Sequence, residues 1–308
     1  MLSWNSCSPA TSTFPTNNNI RYMKKILFLA AVAMMTATNL SAQEEEAVNA
    51  YFTTGEMPDM MVFLPGPPDS TSVAFMNDVA RYYWGKEMRH DPERAAQATR
   101  DAVYGLETIL TEFEEAFGMK ISKEDTPEIY KVLLEGTATC DSICTKAKRE
   151  YMRRRPFMVF NESTLYPEDE PALRKNGSFP SGHTLLGWSS ALLMMEINPD
   201  RATEILTRGY RYGENRLVVG AHWQSDTDAA RLAASAAYAR LHTSERFLEQ
   251  MKKAREEYQR LKGETVGIRS TRVLEHPAAT RAYTLQGSPA TDSTRGIVIK
   301  DGTKFVRK

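Results

Sequence analysis

Pro180-Ser181-Gly182-His183, running directly into the apolar stretch Thr184 to Ile197, is the part of the chain on which the fold turns. Serine is a favoured helix cap, and the first N–H groups of a helix lack intrahelical acceptors and sit at the positive end of its dipole. Ser181 and Gly182 are thereby placed to present donors to an oxyanion, and His183 adds a titratable ring. An ordinary cap and turn with a structural histidine would use the same four residues, so the flanking sequence has to decide.

Two further clusters bear on that choice. Lys148 and Arg155-Pro156 are seven apart, about two helical turns, so both cationic heads project from one face while Pro156 turns Arg155 toward a helix end. With Lys146, Arg149, Arg153 and Arg154 they also fit a solvated basic face. The other cluster is Arg216 with His222 and Asp226. Positions i and i+4 share a helical face, so Asp226 can accept from one ring nitrogen of His222 and leave the other free. Such a pair makes a nucleophile or base of fixed tautomer, or else a structural hydrogen bond.

Outside these clusters the pattern is helical almost throughout. Val73 to Met88 has apolar residues at three- and four-residue spacing, and Asp91-Pro92 is a cap followed by proline at the first helical position. Ala95 to Phe117 reads as a continuation that stops at Gly118, and Thr126-Pro127 opens a helix running past Cys144 into the basic segment. Further helices start at Asn198-Pro199, cover Trp223 to Leu241, and run from Ser244 to Leu261 with Gly263 as the stop. No stretch of this region alternates with a period of two, which argues against a sheet-based core. The Met-rich segment Leu192 to Met195 reads as core filling, and His90, His242 and His276 as surface or capping residues.

The chain has 308 residues, 42% hydrophobic and 25% charged, enough for one sizeable core in a single main domain. With 39 basic and 39 acidic residues there is no global electrostatic case for nucleic acid or an anionic membrane surface, so any anion site is built locally. Met23-Lys24-Lys25, the apolar core Ile26 to Met35 and the small residues up to Ala42 read as a signal peptide cleaved after Ala42, implying a periplasmic or secreted protein. Residues 1–22 precede it and are read as an upstream, non-native start. Residues 43–62 are expected to be a solvated lead-in, 63–262 the catalytic domain and 263–308 an extension. Phe63 to Pro68 is a stiff turn, either a surface connection or one wall of a pocket. Cys140 and Cys144, four apart, fit two thiols or one strained bridge, and no ligand pattern completes a metal site around them. In the extension, Ile297 to Val306 around Asp301-Gly302 reads as a two-strand hairpin.

In order, the clusters read Lys-x6-Arg-Pro, Pro-Ser-Gly-His and Arg-x5-His-x3-Asp. This resembles the three-part signature of the type 2 phosphatidic-acid phosphatase and vanadium haloperoxidase superfamily. Within it the chain is most similar to the bacterial class A nonspecific acid phosphatases, over about Phe63 to Leu261. Lys175-Asn176-Gly177-Ser178-Phe179, Gly187-Trp188, Glu196-Ile197-Asn198-Pro199 and His222-Trp223-Gln224-Ser225-Asp226 support it.

The resemblance implies an all-α helical-bundle domain that hydrolyses phosphomonoesters without a metal or other cofactor, although vanadate can occupy the phosphate site. It assigns His222 as nucleophile, Asp226 as its orienter and His183 as acid and base, with Lys148, Arg155, Ser181, Gly182 and Arg216 binding phosphate. The implied partners are a small phosphomonoester and a second copy of the chain in a homodimer, with no nucleic acid and no membrane span after the signal. Asn215 stands where the family usually has Ser, which implies altered positioning of Arg216. The competing readings are a vanadate-dependent haloperoxidase, which would use the same residue types, and a noncatalytic phosphate-binding or interaction module.

Overall fold

A computed structural model of the protein describes residues 48–270, 282–284, 289–291, 295–300 and 303–307. The expected signal peptide, Cys7, His276 and the expected turn at Asp301-Gly302 lie outside the described residues. Among the described residues, ten α-helices of five or more residues carry the domain: α1 (Val73–Glu87), α2 (Pro92–Arg100), α3 (Leu106–Glu112), α4 (Pro127–Asp141), α5 (Thr145–Tyr151), α6 (Pro156–Phe160), α7 (Gly182–Ile197), α8 (Ala202–Val219), α9 (Gln224–Leu241) and α10 (Glu245–Ser270). Among the described residues no helix is long and apolar enough to cross a membrane.

The stretch quoted first forms the central helix. α7 packs on α8, α9 and α4 at once, and its buried residues lie on every side, from His183 and Leu185 to Leu193 and Ile197. A helix apolar all round belongs in a core, where each fully buried Leu or Ile contributes about 1.5–3 kcal/mol. α10 closes the bundle against α4. Met194 is buried with this core, as its flexible apolar side chain suits.

Several helix boundaries differ from the sequence reading. The expected helix from Ala95 to Phe117 breaks after α2, at residues 101–105, because the buried Asp101 carboxylate takes two hydrogen bonds from Arg208 (2.6 and 3.0 Å) and one from Asn215 (2.7 Å). The helix opened by Pro127 does not reach Arg155. It ends at Asp141, passes through a tight turn at Ser142–Cys144, resumes as α5 and stops at Met152, whose φ is 39°. Lys148 and Arg155 thus do not share a helical face; Arg155 is the extended residue preceding α6. α10 continues through Gly263 to Ser270, since one helical glycine costs only about 1 kcal/mol.

The expected solvated lead-in is packed from Tyr51 onward. Tyr51, Met57 and Met60 are buried, and the Tyr51 amide donates to Thr139 Oγ1 at 2.9 Å. Phe63 to Pro68 contributes nothing to the cavity described below; a Cβ on Gly66 would meet the Tyr151 ring instead. Cys140 and Cys144 are free, buried thiols. In the extension, β2 (Gly296–Lys300) and β3 (Thr303–Arg307) pair antiparallel, Gly296 opposite Arg307 and Lys300 opposite Thr303, in the register an Asp301-Gly302 hairpin requires. A short strand, β1 (Tyr283–Thr284), joins on the far edge of β2 and was not anticipated by the sequence reading.

Candidate active site

α5, the segments carrying Tyr104, Arg155, Asn176 and His222, and the start of α7 meet at a cavity of about 520 Å³, whose lining includes Lys148, Arg155, Gly182, His183 and His222. Arg216 lies behind this lining and Asp226 behind His222, both fully buried. Residues separated by 74 positions in sequence therefore face one space.

The chain reaches His222 through a sharp turn. α8 ends at Gly220, φ 83°, a left-handed cap that costs glycine little, and a Cβ there would lie 2.7 Å from Arg89 Nη2. Arg89 in turn donates to the terminal carbonyls of Val218 (2.7 Å) and Val219 (3.1 Å). His222 and Asp226 do not share a helical face as their spacing suggested, because α9 begins only at Gln224. The pair forms across the helix start: His222 Nδ1 is 3.2 Å from Asp226 Oδ2, which also accepts from the Trp223 amide at 2.9 Å. With Nδ1–H donating to the carboxylate, the Nε2 lone pair faces Arg155 Nη1 at 2.9 Å.

Arg155 is held by carbonyls. Nε donates to Leu173 O (3.0 Å) and Asn176 O (3.2 Å), Nη1 to Ala221 O (3.0 Å) and Nη2 to Gly177 O (3.2 Å). This fixes the planar fork while leaving Nη2 with a proton for an anion. Lys148 Nζ donates to the same Gly177 carbonyl at 3.2 Å. A Cβ on Gly177 would stand 2.5 Å from Lys148 O, so only glycine lets this loop lie on α5. Burial is the main cause holding the Lys148 ammonium down to about 8.

At the start of α7, Ser181 Oγ accepts from Thr184 N (3.3 Å) and Thr184 Oγ1 (2.9 Å), as a cap should. The Ser181 amide donates to Asp226 O at 3.0 Å. That corrects the expectation that this amide faces the anion; the amides of Gly182 and His183, in the first turn, are the ones without intrahelical acceptors. His183 Nε2 donates to Ala102 O at 2.9 Å, which leaves Nδ1 for chemistry. Burial, with Arg216, His222 and Arg155 nearby, pushes the His183 ring well below its usual pKa. Burial lowers His222 in the same way, helped by Arg155, Lys148 and Arg216.

Arg216 is the outlier. It is fully buried, and among the described residues none supplies a hydrogen-bond partner to any of its three guanidinium nitrogens. Burial holds its pKa down to about 10, so it is charged at neutral pH. Leaving a buried cation unpaired costs several kcal/mol, which an anion in the adjoining cavity would recover. Asn215 makes no hydrogen bond to its guanidinium; its amide donates to Asp101 at 2.7 Å and anchors the α2–α3 break that carries Ala102 to His183.

Several residues of the site were not singled out in the sequence. Arg153 is almost buried and bridges Asp226 Oδ1 (2.6 Å) to Asp78 Oδ2 (2.7 Å), while Asp78 also accepts from Ser225 N (2.8 Å) and Oγ (2.6 Å). Its only sequence signal was membership of the basic run, which does not say which cation turns inward. Tyr104 and Asp169 line the cavity as well. His90 is exposed beside Glu87, and His242 bonds Glu196 and Tyr238 O, consistent with structural roles. Among the described residues, no three His, Cys, Asp or Glu side chains converge as a metal set.

Comparison with known proteins bears on the same residues. Residues 130–246 match the PAP2 superfamily. A non-specific acid phosphatase of Providencia stuartii is 40% identical over 248 residues, 78% of this chain and all of the relative. One from Salmonella typhimurium is 41% identical over 213 residues, 69% of this chain and 85% of the relative. An acid phosphatase of Zymomonas mobilis is 34% identical over 202 residues, 66% and 76% of the two chains. With the helical bundle, and with the signature residues in or beside one cavity, the chain belongs to the PAP2 superfamily, among its bacterial class A nonspecific acid phosphatases.

Proposed function

We propose that the protein is an exported acid phosphatase that cleaves phosphomonoesters through a phosphohistidine on His222, with no metal ion. The observation that carries this reading is the buried, unpartnered Arg216 guanidinium beside two imidazoles and two further cations. Arg155, Arg216, Lys148 and the Gly182 and His183 amides neutralise the non-bridging oxygens, the main requirement of phosphoryl transfer. His222 Nε2 gives its lone pair to phosphorus, and the bond from phosphorus to the ester oxygen breaks. His183 passes a proton to that oxygen, releasing an alcohol. The phosphoimidazole is then cationic, with Nδ1–H held on Asp226. Water attacks phosphorus, His183 takes back a proton, and the N–P bond breaks to free phosphate and restore His222.

The test is a panel of phosphomonoesters assayed with chelator present, wild type beside His183→Ala. Turnover undiminished by chelator and strongly reduced in the variant is expected; turnover that requires an added divalent ion would sink the metal-free reading. The same sample, recovered from outside the cytoplasm, should begin at Gln43 and elute at twice the monomer mass. An N-terminus upstream of Met23 would refute the export signal, and monomer mass the dimer.

The pH dependence follows from the shifts. kcat/KM reports the free enzyme. Lys148, lowered to about 8, carries its charge below that pH and loses it above. His183, lowered from its usual range, gains the proton needed for the leaving group only as pH falls. Both signs favour acid, so kcat/KM should rise as pH drops from 9 toward 5, and Lys148→Arg should weaken the limb near 8. A profile that climbs monotonically into alkali would contradict both assignments.

A further inference from the structure

Among the described residues, Tyr104 is the phenolic side chain of the cavity lining, and the residue is 49% exposed. Its ring meets His183 edge-on, with centroids 4.8 Å apart and planes at 70°. A Cβ on Gly182 would be 3.9 Å from Tyr104 Cε2 and 3.7 Å from Lys148 Cε, so the ring stands directly beside the helix start that faces the anion. The tyrosine is also braced. Its hydroxyl end interacts with the half-buried Asp141 carboxyl, and desolvation of that end together with the carboxylate raises the phenol well above its usual range.

Resting on the hydrolase reading, position then implies selectivity. His183 can protonate the leaving oxygen only within hydrogen-bond reach, so the first atoms beyond that oxygen lie against the residue that packs on His183. We infer that Tyr104 is a specificity-determining residue that favours phosphomonoesters whose leaving group places a flat aromatic face next to the ester oxygen. A braced ring offers stacking without losing much side-chain freedom on binding. Ring pairs of this kind add about two- to tenfold beyond simple burial. Ala172 and Leu173, also in the lining, extend the apolar wall.

The experiment compares benzyl phosphate with methyl phosphate, esters of alcohols of nearly equal acidity, so that kcat/KM differs through contact rather than leaving-group chemistry. The wild-type ratio should favour the benzyl ester. In Tyr104→Leu and Tyr104→Gln, the ratio should fall by about two- to tenfold, and Tyr104→Phe should keep the preference because it keeps the ring. A ratio unmoved in the ring-free variants, even with both rates lowered, would mean that Tyr104 only steadies His183 and would overturn the proposal. Loss of the preference in Tyr104→Phe would overturn it too. If wild type hydrolyses neither ester, the phosphatase reading fails on its own. The affinity ratio of benzylphosphonate to methylphosphonate, measured by calorimetry across the same variants, then decides the Tyr104 proposal without turnover.

Discussion

His222→Ala is expected to lower kcat by roughly 10⁴-fold or more, the scale seen when a covalent nucleophile is removed and only substrate binding and charge stabilisation remain. The expectation rests on how completely His222 is prepared. One ring nitrogen is committed to Asp226 at 3.2 Å, the other points its lone pair at Arg155 Nη1, 2.9 Å away, and burial keeps the ring neutral at mildly acid pH. Neutrality matters because a protonated Nε2 has no electrons to give. Removing the ring leaves Asp226 bonded to Trp223 N and Arg153, so the local fold should survive and the loss should be chemical. Acid quenching after a short reaction with radiolabelled substrate should trap label on wild type and none on the variant. Turnover near wild type in His222→Ala would remove the nucleophile from the scheme.

Arg216→Met should separate stability from activity. The guanidinium is buried with no hydrogen-bond partner on any nitrogen among the described residues, which costs folding free energy. Replacing buried charge with apolar side chains of similar volume often stabilises by about 1–4 kcal/mol, which for a domain of this size corresponds to about 2–16 °C in Tm. kcat/KM should meanwhile fall by roughly 10³-fold, the scale of losing one arginine that stabilises a phosphoryl-transfer transition state. Phosphate at a hundred times its Kd should stabilise wild type by about 2.7 kcal/mol, while the same concentration should shift the variant far less. Thermal scans with and without phosphate, beside steady-state rates, read all three quantities. A variant that melts lower without anion and keeps wild-type kcat/KM would show that Arg216 is structural.

Much of the site could be read along the chain because its chemistry depends on residue types at short spacing. The Ser181 cap, the apolar run behind it and the four-residue interval from His222 to Asp226 are local features, and each appears in the structure. The reasons attached to two spacings were wrong, though the residues of each pair do lie together. Seven residues from Lys148 to Arg155 suggested two turns of one helix, but Met152 adopts a left-handed backbone and the two cations meet at the Gly177 carbonyl from separate elements. Four residues from His222 to Asp226 suggested one helical face, but the pair spans a helix start.

By itself the sequence determined the all-helical class, the main helices, the terminal hairpin and which side chains could serve a phosphate, because periodicity, caps and motif spacing act within a few residues. Tertiary structure alone decided which cation of the basic run turns inward as Arg153, why the chain breaks at Asp101 to present the Ala102 carbonyl to His183, and that Arg216 has no hydrogen-bond partner among the described residues. Those outcomes depend on partners 70 to more than 100 positions away, such as Arg208 and Asn215 on Asp101. Local propensity around residues 95–117 favours a continuous helix, and only the cost of burying an unsatisfied carboxylate overrides it.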